Sequence, residues 1–256
     1  MNDASAPPLA LEKAVADRSY RILQLLFALF LAEFAVVWVR VWLPHAPFAG
    51  AGWPEGLLLI LGAATLLASV ARHLPLQNVL LAAAIIAILG GGATVLGAMA
   101  GMTIGPIVHL GSAGPNVLLG SVWAGPLVWI IFVLSSRGVV RLVLKRWRET
   151  PNYGFWVLGL TAGLTAWLNF GLQLFVTHAG PGNPNRNSFE WQGALLVNFA
   201  VCALAALMIA AFATPSLISK KPVTPPAPGY HPVFVWLSLN LLFATGWVVN
   251  STPPAG

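Results

Sequence analysis

Long apolar runs alternate with short polar segments along the chain. Each run holds about 20 or more mostly hydrophobic residues, which is the length that an α-helix needs to cross a bilayer. Prolines and glycines punctuate most of the joints between the runs. The seven runs cover approximately residues 20–43, 55–73, 76–100, 116–136, 153–177, 191–218 and 231–250. The pattern predicts an all-α polytopic membrane protein with about seven transmembrane helices. Residues 20–250 would form one transmembrane domain, after a polar segment at 1–19 and before a tail at 251–256.

Composition and charge support this interpretation and orient the helices. Only 8% of the 256 residues are charged, against about 25% in a soluble protein. With the N-terminus in the cytoplasm and the C-terminus outside, only Arg40 and Arg186 of the 13 Lys and Arg residues would lie outside. This bias follows the positive-inside rule and gives no reason to expect a nucleic-acid partner. An eighth span within 101–116 would spoil the bias, so "MTIGPIVHLGSAGP" is interpreted as an outside loop or a re-entrant segment. The expected location is the cell inner membrane.

Several kinds of chemistry lack the residues they need. Cys202 is the single cysteine, so neither a disulfide nor a thiolate metal cage is available. His109 has no second histidine at metal-ligand spacing, and a structural role is its simplest interpretation. The glycine-rich stretches lack the lysine of a phosphate-binding loop, and no lysine within a span could hold retinal. We therefore expect no metal and no cofactor.

Polar side chains inside the spans are the main functional candidates. Glu33 is the only acid in the middle of a span, where it is either a proton donor or a protonated carboxyl bonded to another helix. Asn169 and Gln173 stand four residues apart and therefore share a helix face. Asn198 and Asn240 are further amides within apolar runs. Hydrogen bonds that join helices are the structural alternative for all four amides.

Aromatic residues suggest an apolar ligand. The chain has 11 tryptophans, of which some belong at the membrane interfaces and others, including Trp129 and Trp167, fall deeper. Rings, small residues and isolated amides suit a long polyene or isoprenoid ligand. Ordinary packing in a tryptophan-rich membrane protein is the alternative.

Two stretches resemble the membrane carotenoid-biosynthesis family, whose best-known members are bacterial carotenoid hydratases. "GSVWAGPLVW" is similar to the pattern G-x-P-x-x-x-P-L-x-W, with matches at Gly120, Pro126, Leu127 and Trp129 and with Val122 in place of the first proline. "EWQGALLVNFAV" is similar to W-x-G-V-P-x-x-N-F, with matches at Trp191, Gly193, Asn198 and Phe199. His109 stands where the family's pattern has an aromatic residue.

The resemblance implies a function and a substitution. Relatives carry an acidic pair, D-x-x-[IL]-[DE]-P, in the helix before the second motif, and this chain has Asn169 and Gln173 at those places. Hydration of a terminal carotenoid C=C bond needs an acid and a base, so Glu33 or Glu190 would have to replace the missing carboxyls. Asn169, Gln173, Asn198, Trp129, Trp167, Trp191 and His109 are the expected substrate-binding residues.

Three hypotheses remain open at the level of the sequence. The first is a hydratase-like enzyme that adds water to an acyclic carotenoid or related isoprenoid. The second is a non-catalytic protein that binds a carotenoid or lipid, or a subunit of a membrane complex or homo-oligomer. The third, a small-solute transporter, lacks the paired broken helices that such proteins use.

Overall fold

In the computed structural model, seven helices make up nearly all of the residues that the structure describes, as the sequence predicts. The structure describes residues 7–42, 53–99, 116–117, 121–122, 124–178, 188–218 and 229–251, and the statements below refer to these residues. The helices are α1 (Pro7–Trp42), α2 (Trp53–Ala71), α3 (Leu76–Met99), α4 (Ala124–Val143), α5 (Tyr153–His178), α6 (Ser188–Ala213) and α7 (His231–Ser251). Short 3-10 turns extend α4 over Leu144–Trp147 and α6 over Thr214–Leu217. Two short antiparallel strands, β1 (Asn116–Val117) and β2 (Ser121–Val122), precede α4.

Each of the seven helices contains a stretch that is long and apolar enough to span a membrane. The prediction of an all-α multi-pass membrane protein is therefore confirmed. The outward faces carry large apolar side chains such as Ile88, Leu96 and Leu196, which are 72%, 67% and 70% exposed in the isolated chain. Lipid would cover such faces, because a water-facing surface of this kind would aggregate.

The start of the fourth helix differs from the prediction. The apolar run suggested a span from about residue 116, but α4 begins at Ala124, after the strand pair. Pro126 lies in its first turn, where a missing backbone N–H costs nothing because that group has no intrahelical partner. The helix then continues to Val143, so Arg137, expected in a cytoplasmic loop, lies within α4 and is buried.

Helix α4 is the centre of the bundle. Of the residues in its spanning stretch 67% are buried, against 17% for α1. It packs against α2, α3, α5 and α7, whereas α1 packs mainly against α2 and α7. The core that it organises includes Trp129, Ile131 and Phe132. A more apolar sequence does not explain this position, because α3 is more apolar than α4 and only 22% of its spanning stretch is buried.

Contacts between helix ends show where some of the charged residues lie in the bundle. The guanidinium of Arg72, after α2, lies 4.9 Å from the centre of the Tyr20 ring near the start of α1. The ring of Phe27 on α1 packs edge to face against the ring of His231, the first residue of α7, with 5.0 Å between the ring centres. At the other end, Arg40 of α1 pairs with Glu55 of α2 at 2.9 Å. These contacts place Arg72 beside the start of α1, while the full grouping of charges and the side of the membrane that each end faces stay predictions.

Candidate functional site

One face of α5 carries polar side chains at every fourth position. Thr161, Thr165, Asn169 and Gln173 form this row, which we call the α5 polar stripe. The first three are at most 1% exposed. Residues four apart on a helix lie one above another, so the stripe runs along the interior of the bundle instead of facing lipid.

The stripe makes a weak contact with α4. The Thr165 hydroxyl donates to the Phe132 carbonyl oxygen at 3.5 Å, and the Ser135 hydroxyl of α4 donates to the same oxygen at 3.4 Å. Both distances lie beyond the usual range of a good hydroxyl hydrogen bond. The α4–α5 interface therefore holds several buried polar groups joined by weak bonds.

Two oxygen atoms of the stripe have no hydrogen-bond partner among the described residues. They are Oδ1 of Asn169 and Oγ1 of Thr161, and the Oγ atom of Ser136 on α4 is in the same condition. A buried polar atom without a partner costs about 1–3 kcal/mol of stability, and such atoms in native proteins call for an explanation such as a water or a ligand. The Asn169 carbonyl oxygen can accept a hydrogen bond from a bound hydroxyl group or a water molecule.

The stripe ends near the α5–α6 interface. Gln173 of α5 and Asn198 of α6 are both half-buried, and each already takes part in an interaction. Next to them, the rings of Phe170 and Phe199 meet edge to face at 6.4 Å. The amides that the sequence singled out on α5 and α6 thus belong to adjoining helices.

Glu33 lies in a different part of the bundle. Its Oε1 atom is buried and lacks a hydrogen-bond partner within the described part of the chain. One turn earlier on α1, Phe30 packs toward Gly62 of α2. Among the described residues no hydrogen bond joins Glu33 to the α5 polar stripe, and α7 is the helix that packs extensively against both α1 and α5.

Trp129 lies at a tight contact between α3 and α4. Its ring is 1% exposed, and its indole N–H donates to the Thr94 hydroxyl at 3.0 Å. That hydroxyl donates in turn to the Gly90 carbonyl oxygen at 3.0 Å. A side chain at Gly90 would overlap Trp129, so only glycine allows this approach. The structure gives Trp129 a role in helix packing, and substrate binding by it stays a prediction.

Two further tryptophans make the same kind of connection, which we call a tryptophan relay. Trp38 donates to the Thr245 hydroxyl at 3.1 Å, and Thr245 donates to the Leu241 carbonyl oxygen at 2.7 Å. Trp167 donates to Oδ1 of Asn240 at 2.9 Å. The amide nitrogen of Asn240 donates to the Trp236 carbonyl oxygen at 2.8 Å. Asn240 therefore makes the interhelical bond that its structural interpretation expected. The Trp167 ring is half exposed and stacks on Phe170 at 6.0 Å.

Three of the predicted site residues cannot be placed. His109 lies outside the described residues, and Glu190 and Trp191 belong to α6 but their side chains are not described. Within the described part of the chain, no group of three His, Cys, Asp or Glu side chains could hold a metal ion.

The sequence interpretation missed Thr161, Thr165 and Arg137. The sequence has a polar residue at every fourth position from Thr161 to Gln173. Threonine is common in apolar helices, so only the amides indicated a candidate site. Arg137 was missed because the apolar run was ended one residue before it.

Comparison with known proteins adds no relative. No family model, curated protein or solved structure matches this chain.

Proposed function

We propose that this chain is a carotenoid- or isoprenoid-modifying membrane protein of hydratase type, resident in the cell inner membrane. The observation that carries the proposal is Oδ1 of Asn169, an atom without a partner among the described residues, on a side chain 1% exposed inside the bundle. A protein that adds water to an alkene must hold one water molecule within an apolar interior, and a buried amide oxygen supplies one of the hydrogen-bond partners that such a water needs.

The proposed reaction has a defined proton balance. A carboxylic acid transfers its proton to the terminal C=C bond, which leaves a tertiary carbocation on the substrate. The water at Asn169 forms a C–O bond with that carbon and returns a proton to the carboxylate. The net change is addition of one water molecule. The low dielectric of the interior strengthens the electrostatic stabilisation of the cation.

Glu33 is the proton donor in this proposal. Of the described carboxyls in spanning helices, Glu55 is paired with Arg40, whereas Oε1 of Glu33 has no hydrogen-bond partner there. Because α1 and α5 both pack on α7, a ligand that lies against α7 would contact both helices. The proton and the water are added to neighbouring carbons, so this reaction requires the terminal double bond to lie between Glu33 and Asn169.

A second candidate is a protein that binds the same kind of ligand without changing it. The observation that favours it is the absence of a described carboxyl from the spanning parts of α4 and α5, where Asn169 and Gln173 occupy the positions that resemble the family's acids. An amide can orient a ligand but cannot protonate an alkene.

Co-expression with lycopene biosynthesis, followed by pigment chromatography, separates the two. A hydroxylated carotenoid that is lost in Glu33→Gln and kept in the exposed control Glu149→Gln would support catalysis. Unchanged lycopene that copurifies with the protein would support binding alone. Lycopene that is neither changed nor bound would overturn both candidates.

Replacing the two amides of α5 by acids tests more sharply whether Asn169 and Gln173 occupy the positions of the family's acidic pair. The double variant Asn169→Asp with Gln173→Glu should increase the hydroxylated product if these positions face the ligand. Asn240→Asp, a substitution of the same kind on α7, should give no increase. An equal response of the two variants would show that the α5 polar stripe has no special relation to the ligand.

A further inference from the structure

Arg137 is a buried arginine without an acidic partner among the described residues. Its side chain is 9% exposed on α4, and the hydrogen bond that it makes runs from Nη1 to the Thr214 hydroxyl at 3.1 Å. That hydroxyl itself donates to the Ala210 carbonyl oxygen at 2.6 Å. Arginines this deeply buried are almost always paired with an anion. In the part of the chain that the structure describes, the recorded salt bridge joins Arg40 and Glu55 and leaves Arg137 with a neutral partner.

The positive-inside rule does not account for this residue. It explains cationic side chains in the loops beside a membrane, such as the exposed Lys145 and Arg146 after α4. It gives no reason to bury a guanidinium within the helix bundle, where an unpaired charge is costly. A bound anion would remove that cost.

Of the titratable side chains near Arg137, Arg141 is basic and Tyr153 is a phenol. Arg141 lies one turn further on the same face of α4. It also lies close enough to His73, after α2, to act on its charge, as does Arg72. His231 lies within electrostatic range of Arg72. We call Arg72, His73, Arg137, Arg141 and His231 the basic cluster.

Close packing holds the cluster together. A side chain at Gly138 would overlap Pro232, so the start of α7 lies directly against α4 beside Arg137. Burial and the charges of Arg72 and Arg141 lower the pKa of His73, which is the response expected where cations meet without an anion between them. Of the described carboxyls, Glu33 and Glu55 lie toward the other end and Glu149 is exposed.

We propose that the basic cluster binds the phosphate or diphosphate group of an anionic molecule, with Arg137 as the main contact and Arg141 beside it. The planar guanidinium matches phosphate oxygens through two parallel hydrogen bonds. The cluster lies where the spanning helices end, so an amphiphile could place its head group there and its tail along the apolar helix faces. This proposal does not depend on the carotenoid hypothesis.

The test measures the melting temperature of the full chain in neutral detergent. The probes are dioleoyl phosphatidic acid, geranylgeranyl diphosphate and inorganic diphosphate, with dioleoyl phosphatidylcholine as the uncharged control. A saturable rise with an anionic probe, and none with phosphatidylcholine, is expected. A rise with inorganic diphosphate as large as with the amphiphiles would identify a soluble ligand, and a rise with the amphiphiles alone would identify a membrane one. No rise with any of the three anions would overturn the proposal.

Variants locate the site. Arg137→Lys keeps the charge but loses the planar fork, and should weaken the apparent affinity about tenfold or more. Arg137→Met should abolish the response, while Arg146→Met, at an exposed arginine outside the cluster, should leave it unchanged. Equal responses of Arg137→Met and Arg146→Met would show unspecific attraction to the basic surface and would contradict the assignment.

An internal counter-ion is the remaining alternative for Arg137. Glu12 and Asp17 are acids on α1 whose side chains are not described. If Glu12→Gln or Asp17→Asn lowered the melting temperature as much as Arg137→Met, and the double variant with Arg137→Met lowered it no further, the partner of Arg137 would be that carboxylate and the phosphate proposal would fall. Additive effects are expected instead.

Discussion

At the α3–α4, α1–α7 and α5–α7 interfaces, the indole N–H of a tryptophan finds an acceptor on the next helix. At the α4–α5 interface, the α5 polar stripe leaves Oδ1 of Asn169 and Oγ1 of Thr161 without a partner in the described ranges. The same residue types, threonine and asparagine, occur in both regions. The difference is that each relay residue both accepts from a tryptophan and donates to its own helix.

This difference separates groups that hold the bundle together from groups that are available to a ligand. A satisfied polar network stabilises a single packing arrangement, whereas a partly satisfied one costs free energy. The relays therefore account for Trp38, Trp129 and Trp167, whereas the buried indole nitrogen of Trp236 has no partner among the described residues. The stripe, by contrast, retains a cost that packing alone does not explain, which makes it the better place to look for a bound water or a hydroxyl group.

The largest effect on stability is expected from removing Trp129, the most buried tryptophan of the relays. Trp129→Ala should lower the free energy of unfolding by about 3–5 kcal/mol, because it deletes a fully buried ring and leaves a cavity. Unfolding in SDS, followed by helical circular dichroism, measures the change. Trp156→Ala is the control, since Trp156 is 54% exposed. A similar loss in both variants would mean that the relays do not differ from lipid-facing tryptophans.

A smaller loss of stability is expected when a side chain is added at Gly90, where the Trp129 ring packs. Gly90→Ala should destabilise the protein by about 1–3 kcal/mol, since the new Cβ atom would overlap the root of the Trp129 side chain and push the helices apart. Gly92 lies on the same helix, and a Cβ atom added there would meet no described atom within 4 Å. Gly92→Ala should therefore stabilise α3 by roughly 0.5–1 kcal/mol, measured in the same way. Effects of the same sign would contradict the tight α3–α4 contact.

Replacing a threonine by valine in a tryptophan relay and in the α5 polar stripe tests the difference between the two regions most directly. Thr94→Val removes the acceptor of the Trp129 N–H and should cost about 1–2 kcal/mol. Thr161→Val removes a buried hydroxyl that has no partner among the described groups, so it should be neutral or stabilising by up to about 1 kcal/mol. SDS unfolding of both variants checks the sign of each change. A loss of stability in Thr161→Val would reveal a bond that the stripe does make.

The seven spans could be predicted from the sequence because length and hydropathy decide whether a helix can cross a bilayer. The start of α4 could not, since residues 116–123 are mainly apolar and join the apolar helix sequence without a charged residue between them. Only the strand pair and Pro126 mark the boundary. The predicted span ended at residue 136, so Arg137 was expected in a loop, whereas α4 continues to Val143 and buries it.

The interior position of Asn169 could be predicted, because a helix in a membrane turns its amides away from lipid. The pairing of Trp167 with Asn240 could not, because it depends on how α5 and α7 are rotated against each other. For Glu33, the sequence shows that a carboxyl group within a span costs free energy. Its position relative to the stripe depends on which helices pack together, and this could not be predicted.

The smallest expected effect concerns pH. Neither the relays nor the α5 polar stripe contains a group that titrates near neutral pH, so acid sensitivity in this range should come from other regions, among them His73. Burial and the nearby Arg72 and Arg141 lower the pKa of His73 in the folded chain. The unfolded state therefore binds the proton more readily, and the contribution of His73 to stability is complete above its unfolded pKa of about 6.5. It decreases as the pH falls through the folded value. His73→Gln should flatten the dependence of the melting temperature between about pH 7 and pH 5. Thr94→Val should shift that curve downward without changing its slope, and an unchanged slope in His73→Gln would remove His73 as a cause.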